Sequence, residues 1–434
     1  MGSERDFLTG LGSCVRCPTR LGCMNSKATP TRFALTGRLV SHGTEIPEGV
    51  IAIDGNRIAF VGNSTEFAFL EDSETYQLRH TPAGSVITPG LIDLHCHGAV
   101  GADFPSGDPE AIAKAINFLH RAGTTTLLAS LVTADREDML ASARVLADFA
   151  ARGDLAGIHA EGPFLSEVRC GAQDPAFLSD PEPDFVDALI DASAGQLRTM
   201  TYAPELAHAD SLVEQLVSQG VVPSLGHTNA DAATVTASLE LAREELSSAG
   251  VDGFTERPTI THLFNGMPPL HHRAPGPVAA CLELAAAHKI IVELIADGVH
   301  LDPITVRTVF NLVGADSIAL VTDSMAAAGL VDGQYSLGPA QVTVSNGEAR
   351  LTSNGSLAGG TATMLDVLRS TVAAGVPLTD AVLSATKVPA EVLGLVDEAG
   401  RLHQGFAADL LILDEDLELL QVIRNGESIY EASV

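Results

Sequence analysis

The chain has 434 residues, 46% of them hydrophobic, which suits a large barrel with a small attached domain and excludes disorder over most of its length. Asp and Glu outnumber Lys and Arg by 55 to 25, and the formal charge of −30 argues against nucleic acid and anionic lipid as partners. No apolar run is long enough to span a membrane or to form a signal peptide, so we expect a cytoplasmic protein.

The N-terminal segment lacks the periodicity of a helix or a strand, and we expect residues 1–32 to be a disordered extension. It contains Cys14, Cys17 and Cys23, a spacing that also suits part of a zinc knuckle. Such a site needs four ligands and no fourth candidate lies nearby, so the extension is the preferred interpretation. Six cysteines in a chain of this length do not predict a disulfide framework.

Strand-like patterns near both ends of the chain predict one small β domain. Residues 34–62 contain short β patterns separated by turns, and the same pattern returns at residues 410–413 and 419–423. Two strand-rich ends around a different middle favour a common domain. We therefore expect a β-sandwich built from residues 33–88 and 401–434.

The middle of the chain, residues 89–400, alternates between β and helical patterns. Eight β segments are predicted, at residues 90–94, 124–131, 155–160, 198–202, 221–225, 259–263, 289–296 and 317–322. Helical segments separate them, and Asp135 is a candidate N-cap for one. Eight β units joined by helices predict a (β/α)8 TIM barrel. A doubly wound sheet is the alternative, but no Gly-x-Gly-x-x-Gly sequence opens a helix.

Side chains able to bind a metal or move a proton follow six of the eight predicted strands. In chain order they are His95, His97, Glu161, His227, His262, Asp297, His300 and Asp323. Catalytic residues of such barrels collect at this end of the strands. Because residues i and i+2 of a strand face the same side, His95 and His97 can bind one ion. Imidazole and carboxylate groups are ligands that zinc and related divalent ions accept.

A less specific interpretation exists for each of these residues, since a single histidine is more often a surface or core residue than a ligand. Glu161, His227 and His262 occupy equivalent places in the repeating unit, which favours a shared metal site. Asp323 by itself could cap a helix. It follows a buried strand pattern, however, and we expect it to face the pocket.

These residues resemble the motifs of N-acetylglucosamine-6-phosphate deacetylases, a family of the amidohydrolase superfamily. Residues 89–97, Pro-Gly-Leu-Ile-Asp-Leu-His-Cys-His, resemble the first-strand signature of the superfamily. The narrower motifs are Glu-Gly-Pro-Phe at 161–164, His-Leu-Phe-Asn at 262–265 and Leu-His-His-Arg at 270–273. The resemblance runs in order from about residue 34 to the C-terminus. It implies hydrolysis of N-acetylglucosamine 6-phosphate to glucosamine 6-phosphate and acetate, in amino-sugar catabolism.

The resemblance also implies which residues bind metal. Glu161, His227 and His262 would hold the main divalent ion, while His95 and His97 would help bind a second ion with Glu161 between the two. Zinc is the expected metal, and iron, manganese or cobalt are the alternatives for this ligand set. Some members lack the His-x-His pair and work with one ion, so one and two ions per subunit both remain open.

The same resemblance implies that Asp323 is the general base and acid, which takes a proton from the metal-bound water and passes it to the departing amine. Substrate contacts are implied at Ala172, Gln173, Asn265, Gly266, Arg273, Asp297, His300, Leu357, Ala358 and Gly359. Arg273 suits a phosphate, because its planar guanidinium donates two hydrogen bonds. In the family this arginine reaches the active site of the partner subunit, so we expect a homodimer.

The chain departs from the family pattern at Gln173. Many members have a Gly-x-His run where this chain has Gly171-Ala172-Gln173. The family's histidine orients the acetyl group, and glutamine can still donate a hydrogen bond but carries no charge. We therefore expect the change to affect activation of the carbonyl or the preference among N-acetyl hexosamine phosphates.

Two other functions remain open from the sequence. One is a different metal-dependent hydrolase, similar to D-aminoacylases or dihydroorotases. Dihydroorotase-like members bridge two ions with a carboxylated lysine, but Glu161 occupies that position here and Lys114, Lys289 and Lys387 lie away from the strand ends. The other is a non-catalytic scaffold. Such proteins usually lose metal ligands, whereas this chain retains the complete set.

Overall fold

The computed structural model describes residues 32–250 and 255–432. The predicted disordered extension, with its three cysteines, lies outside the described residues apart from Arg32, which begins the first strand. Within these ranges, a parallel barrel and a sheet formed by both chain ends make up most of the structure.

Eight parallel strands, each hydrogen-bonded to the next in chain order, form the barrel. They are Leu91–Asp93, Thr124–Leu131, Gly157–Glu161, Leu197–Tyr202, Val222–Leu225, Thr259–Ile260, Ile291–Leu294 and Ile318–Leu320. Each overlaps one predicted β segment, so the (β/α)8 prediction is confirmed. A doubly wound sheet would reverse its strand order, and that alternative is wrong.

Backbone hydrogen bonds close the barrel just beyond the first and eighth strands. The N–H of Asp323 donates to the carbonyl of His95 at 2.9 Å, and the N–H of His97 donates to the carbonyl of Ser324 at 2.7 Å. Cys96 and Ser324 form a parallel bridge between these two segments. The closure therefore brings the predicted His-x-His pair and the predicted general base side by side.

Amphipathic helices cover the outside of the barrel. Those between the strands are Pro109–Arg121, Arg136–Ala151, Pro183–Ala192, Ala209–Ser218, Ala232–Ala249, Gly276–Ala286 and Pro303–Val313. Those after the eighth strand are Met364–Ala373, Leu378–Ala385 and Lys387–Val392. The predicted cap is present, since the Asp135 carboxylate accepts from the N–H of Glu137 at 3.0 Å. None of the helices in the described ranges combines the length and apolar character needed to cross a membrane.

Strands from both chain ends form one sheet beside the barrel. They are Arg32–Ser41, Thr44–Asp54, Arg57–Asn63, Gln77–His80, Val86–Pro89, Leu410–Leu413, Leu419–Arg424 and Glu427–Glu431, with a short helix at Ser64–Ala68. The two ends meet where Val86–Pro89 runs antiparallel to Leu410–Leu413. Phe33 and Ile51 share one apolar cluster with Ile412. The predicted small β domain from both ends is confirmed, and hydrogen bonds link its strands into a single continuous sheet.

Additional antiparallel strands follow the first and eighth barrel strands, and the sequence analysis missed them. They are a hairpin of Gly98–Ala99 with Ala102–Asp103 and a sheet of Gly333–Leu337, Ala340–Ser345 and Glu348–Leu351. The larger sheet packs its apolar face on Met325 beside the eighth strand. The N–H of Ala358 donates to the carbonyl of Ala349 at 3.0 Å, so this sheet holds the predicted substrate loop.

Candidate metal centre

Six ionisable side chains meet at the carboxyl end of the barrel in two groups. The first group is His95, His97 and Asp323, and the second is Glu161, His227 and His262. Within each group the candidate ligand atoms all lie within 4.8 Å of one another. The most exposed of the six, Asp323, is only 8% exposed. The structure thus brings together all the residues that the sequence predicted for metal binding and proton transfer.

Glu161 lies between the two groups. Its Oε1 atom is 2.9 Å from Nε2 of His227 and 3.0 Å from Nε2 of His262. Its Oε2 atom is 3.3 Å from Nε2 of His97. Oε1 also lies 3.7 Å from Nε2 of His95, so the carboxylate borders both groups, an arrangement that suits a carboxylate contacting two cations.

The histidine tautomers suit a divalent cation. The Nδ1 atoms of His97 and His227 lie 3.2 and 2.8 Å from backbone carbonyl oxygens. A carbonyl only accepts, so Nδ1 of each ring donates and Nε2 is the nitrogen that faces the cluster. The Nε2 atoms of His95 and His97 are 3.0 Å apart, as are those of His227 and His262. Two ring nitrogens at that distance need a proton or a metal ion near both, because two facing lone pairs would repel each other.

The charge balance of the cluster also suits a bound cation. Burial alone would raise the pKa of Asp323, but His95 and His97 beside it lower that pKa to about 2. Burial lowers the pKa of His97, whereas hydrogen bonds to Asp323 and Glu161 raise it to about 9. The carboxylates therefore stabilise positive charge at the histidine nitrogens, and a divalent ion satisfies the same demand.

A cavity opens directly above this cluster. Predicted substrate residues that line it are Ala172, Gln173, Asn265, Gly266, His300, Leu357 and Gly359. Gly266 has φ +61°, and a Cβ atom there would lie 2.8 Å from Nδ1 of His227, so only glycine fits against this histidine. The structure therefore places seven of the ten predicted substrate residues at one cavity.

Three predicted substrate residues lie away from the cavity wall. Asp297 supports it indirectly, because its Oδ2 atom is 2.8 Å from Nδ1 of His300. Ala358 is buried behind the loop that lines the cavity. Arg273 is exposed, and its Nη1 atom is 2.8 Å from Nε2 of His272. Within one chain, therefore, Arg273 does not contribute to the cavity.

Comparisons with known proteins decide the family. Residues 86–429 match the model of the amidohydrolase family. The N-acetylglucosamine-6-phosphate deacetylase of Bacillus subtilis is 33% identical over 397 residues, which cover 89% of this chain and 94% of that protein. The chain belongs to the N-acetylglucosamine-6-phosphate deacetylase family. The human deacetylase is 31% identical, over 85% of this chain and 89% of its own.

Solved structures of deacetylases share this fold. A variant of the Mycobacterium smegmatis N-acetyl-D-glucosamine-6-phosphate deacetylase, in complex with N-acetyl-D-glucosamine-6-phosphate, is 37% identical with a TM-score of 0.82, over 92% of this chain and all of that one. The resemblance seen in the sequence is confirmed, and the chain is a hydrolase of the deacetylase type. The non-catalytic scaffold is wrong, and the dihydroorotase-like and D-aminoacylase-like alternatives have no support.

Gln173, the departure from the deacetylase pattern, contacts the candidate metal centre itself. Its Oε1 atom accepts from the N–H of Thr133 at 2.7 Å, and its Nε2 atom donates to Oε2 of Glu161. The Thr133 bond fixes which way the amide faces, so the amide nitrogen points at the carboxylate. Gln173 therefore supplies a neutral donor to the side chain that lies between the two groups.

We expect Gln173→Leu to destabilise the protein by about 1–3 kcal/mol, because it leaves the buried N–H of Thr133 without an acceptor and removes one donor to Oε2 of Glu161. Thermal unfolding in the presence of chelator measures this effect apart from metal binding. Gln219→Leu is the matched control, since Gln219 is exposed. Equal unfolding temperatures for the two variants would contradict the prediction.

The sequence analysis missed two buried carboxylates that touch this deacetylase centre. Asp93 accepts from the N–H of His95 at 3.2 Å and from the hydroxyl of Thr322 at 2.6 Å, and burial raises the pKa of Asp93 to about 6. Glu293 lies behind His95 and His262. Both could have been recognised from the sequence, because each is a lone acidic residue in an otherwise apolar buried strand.

Proposed function

We propose that this deacetylase-family chain hydrolyses N-acetylglucosamine 6-phosphate to glucosamine 6-phosphate and acetate. The observation that carries the proposal is the cluster of Glu161, His227 and His262 with Asp323 beside it, at the floor of a cavity lined by seven of the predicted substrate residues. The Mycobacterium smegmatis relative binds this sugar phosphate, which supports the same substrate here.

We assign the two groups of side chains to divalent ions. Glu161, His227 and His262 would hold one ion, and His95 and His97 would help hold a second, with Glu161 contacting both. An ion bound there lowers the pKa of a water molecule and polarises a carbonyl group. Imidazole and carboxylate ligands suit zinc, which we propose as the metal, and they also accept iron, manganese or cobalt.

Asp323 is the proposed general base and acid. It borders the cavity, and its low pKa keeps it ionised at neutral pH. In the reaction, its carboxylate accepts a proton from the water that attacks the acetyl carbon. The carbon–nitrogen bond then breaks, and Asp323 returns that proton to the sugar nitrogen, which leaves as the amine. Acetate and glucosamine 6-phosphate result.

The cavity wall holds the proposed sugar contacts in fixed positions. His300 is oriented by Asp297, which also accepts from the backbone N–H of His300 at 2.8 Å. The Nδ2 atom of Asn265 donates to the carbonyl of His262 at 3.2 Å, so the proposed sugar contact is held against the backbone of a candidate metal ligand. Such rigid contacts favour a reactive orientation of the acetyl group over the metal centre.

The direct test is acetate release by the zinc-loaded protein from N-acetylglucosamine with and without the 6-phosphate. We expect a clear preference in kcat/KM for the phosphorylated sugar. Equal rates for the two sugars would contradict the proposed substrate. Release of acetate from neither sugar, with metal bound, would contradict the proposed function.

Arg273 is the proposed phosphate ligand, supplied by the partner subunit of a homodimer. Its exposed position on the barrel rim, outside the cavity of its own chain, supports this arrangement. We expect Arg273→Ala to lower kcat/KM for the phosphorylated sugar by about 10–150-fold, because hydrogen bonds to a charged group contribute about 1.5–3 kcal/mol. The unphosphorylated sugar should be unaffected, and Arg144→Ala, on an exposed helix face, is the matched control.

Mixing two impaired variants tests whether Arg273 acts between subunits. In a mixed dimer of Arg273→Ala and Asp323→Asn chains, one active site would combine an intact Asp323 with an intact Arg273 from the partner. We expect activity well above that of either variant alone, measured at substrate concentrations far below KM. Unchanged activity, with subunit exchange verified, would place Arg273 in its own chain's site or outside both.

A further inference from the structure

Glu293 is a fully buried carboxylate that the proposed reaction does not use. It lies on the seventh barrel strand, Ile291–Leu294, and is 2% exposed. Among the described residues, no lysine or arginine is within ion-pair distance of it, and its one ion-pair partner is His95. A buried carboxylate without such compensation is costly, so its hydrogen bonds must carry the stabilisation.

Both side-chain hydrogen bonds of Glu293 lead to the candidate ligands. Its Oε2 atom is 3.3 Å from Nδ1 of His95 and accepts from the backbone N–H of His262 at 3.2 Å. One oxygen atom thus joins the ligand group of His95 to the ligand group of His262. The two imidazole rings are stacked, with centroids 5.4 Å apart and planes at 24°.

The bond to Glu293 determines which nitrogen of His95 is free. The Nδ1 atom of His95 faces the Oε2 atom of Glu293, so Nδ1 is the nitrogen that donates and Nε2 is the one that faces His97 and Asp323. His97 and His227 make the corresponding Nδ1 bond to neutral backbone carbonyls. The buried Nδ1 atom of His262 has no hydrogen-bond partner in the described residues. Of these four histidines, His95 is therefore the one whose ring is backed by a carboxylate.

We propose that Glu293 is a positioning residue that holds His95 in its metal-binding tautomer and thereby sets the affinity of the ion bound by His95 and His97. The inference rests on the proposed function, because it needs a metal at that group. Glu293 touches neither the cavity nor the sugar contacts, so it acts through His95. A carboxylate behind a ligand imidazole makes the metal-binding nitrogen a stronger donor.

The test measures zinc bound per chain at equilibrium with buffered free Zn²⁺, starting from chelator-treated protein. Glu293→Gln keeps an acceptor oxygen but removes the charge, and Glu293→Leu removes both. We expect two ions in the wild type. In Glu293→Gln one ion should bind about 10–100-fold more weakly while the other is unchanged. Glu293→Leu should show an equal or larger loss of zinc affinity. If Glu293→Leu does not fold, the result for Glu293→Gln decides the test.

Asp409→Asn is the control, since the Asp409 carboxylate is half-buried, accepts from the N–H of Asn425 at 2.6 Å and lies in the sequence segment leading to the terminal sheet. It should leave both zinc affinities unchanged. If Glu293→Gln bound two ions with wild-type affinity, the inference would be overturned. A lower unfolding temperature in that variant would then show that the role of Glu293 is purely structural. A wild type that binds one ion would also overturn it, yet leave the proposed function standing. A wild type that binds none would remove the proposed function itself.

Discussion

Asp323→Asn is expected to lower kcat by about 10²–10⁴-fold, the usual contribution of a positioned general base and acid. Asparagine keeps the size of the side chain but cannot take the proton of the attacking water. The substitution should leave KM within a small factor, because Asp323 belongs to the candidate metal centre and not to the proposed sugar and phosphate contacts. Steady-state acetate release by the metal-loaded variant measures both constants.

Zinc content distinguishes this role from that of a metal ligand. The Oδ1 atom of Asp323 lies 3.4 Å from Nε2 of His95 and 3.3 Å from Nε2 of His97, so it also belongs geometrically to the first ligand group. If Asp323 mainly moves protons, the variant retains its metal while kcat falls. A kcat within tenfold of wild type in the fully loaded variant would exclude the general-base role.

Removal of metal by a chelator is expected to abolish acetate release, and added zinc should restore it. The same treatment should lower stability, because an ion that binds only the folded state at 100 times its Kd contributes about 2.7 kcal/mol. Thermal unfolding and elemental analysis of the same samples measure both effects. Full activity after removal of the metal, verified by elemental analysis, would contradict the proposed role of the ion.

A pair of histidine variants makes the metal prediction specific. His262→Ala removes a candidate ligand of the second group, whereas His288→Ala removes a largely exposed imidazole on the barrel surface. We expect His262→Ala to bind at least one ion fewer and to be inactive, and His288→Ala to match the wild type. Fewer than one ion per chain in the wild type, with no rescue by zinc, would contradict the proposed function.

The eight barrel strands could be predicted because strands buried on both faces read as continuous apolar runs. The sixth strand was predicted too long, as residues 259–263, and ends at Ile260. The chain turns there because His262 has φ +29°, outside the β region. His227 and Asp323 also have positive φ, at +46° and +47°. These unusual backbone conformations direct the three side chains towards the same cluster, and no sequence pattern predicts them.

Contacts between distant strands were the other part that sequence could not supply. The bond from Gln173 to Glu161 and the bonds from Glu293 to His95 and His262 depend on how the barrel closes. Sequence spacing says nothing about such partners. For Arg273 the residue type was informative but the position was not. An arginine suits a phosphate contact, yet Arg273 lies outside the cavity of its own chain.

The closure of the barrel has a consequence for the order of events during synthesis. A nascent chain that has emerged only as far as the seventh strand carries His95 and His97 but not Asp323 or the backbone that clamps them. Its first ligand group is then incomplete. The side-by-side placement of the His-x-His pair and Asp323 is therefore complete only once the eighth strand has been made and has closed the barrel.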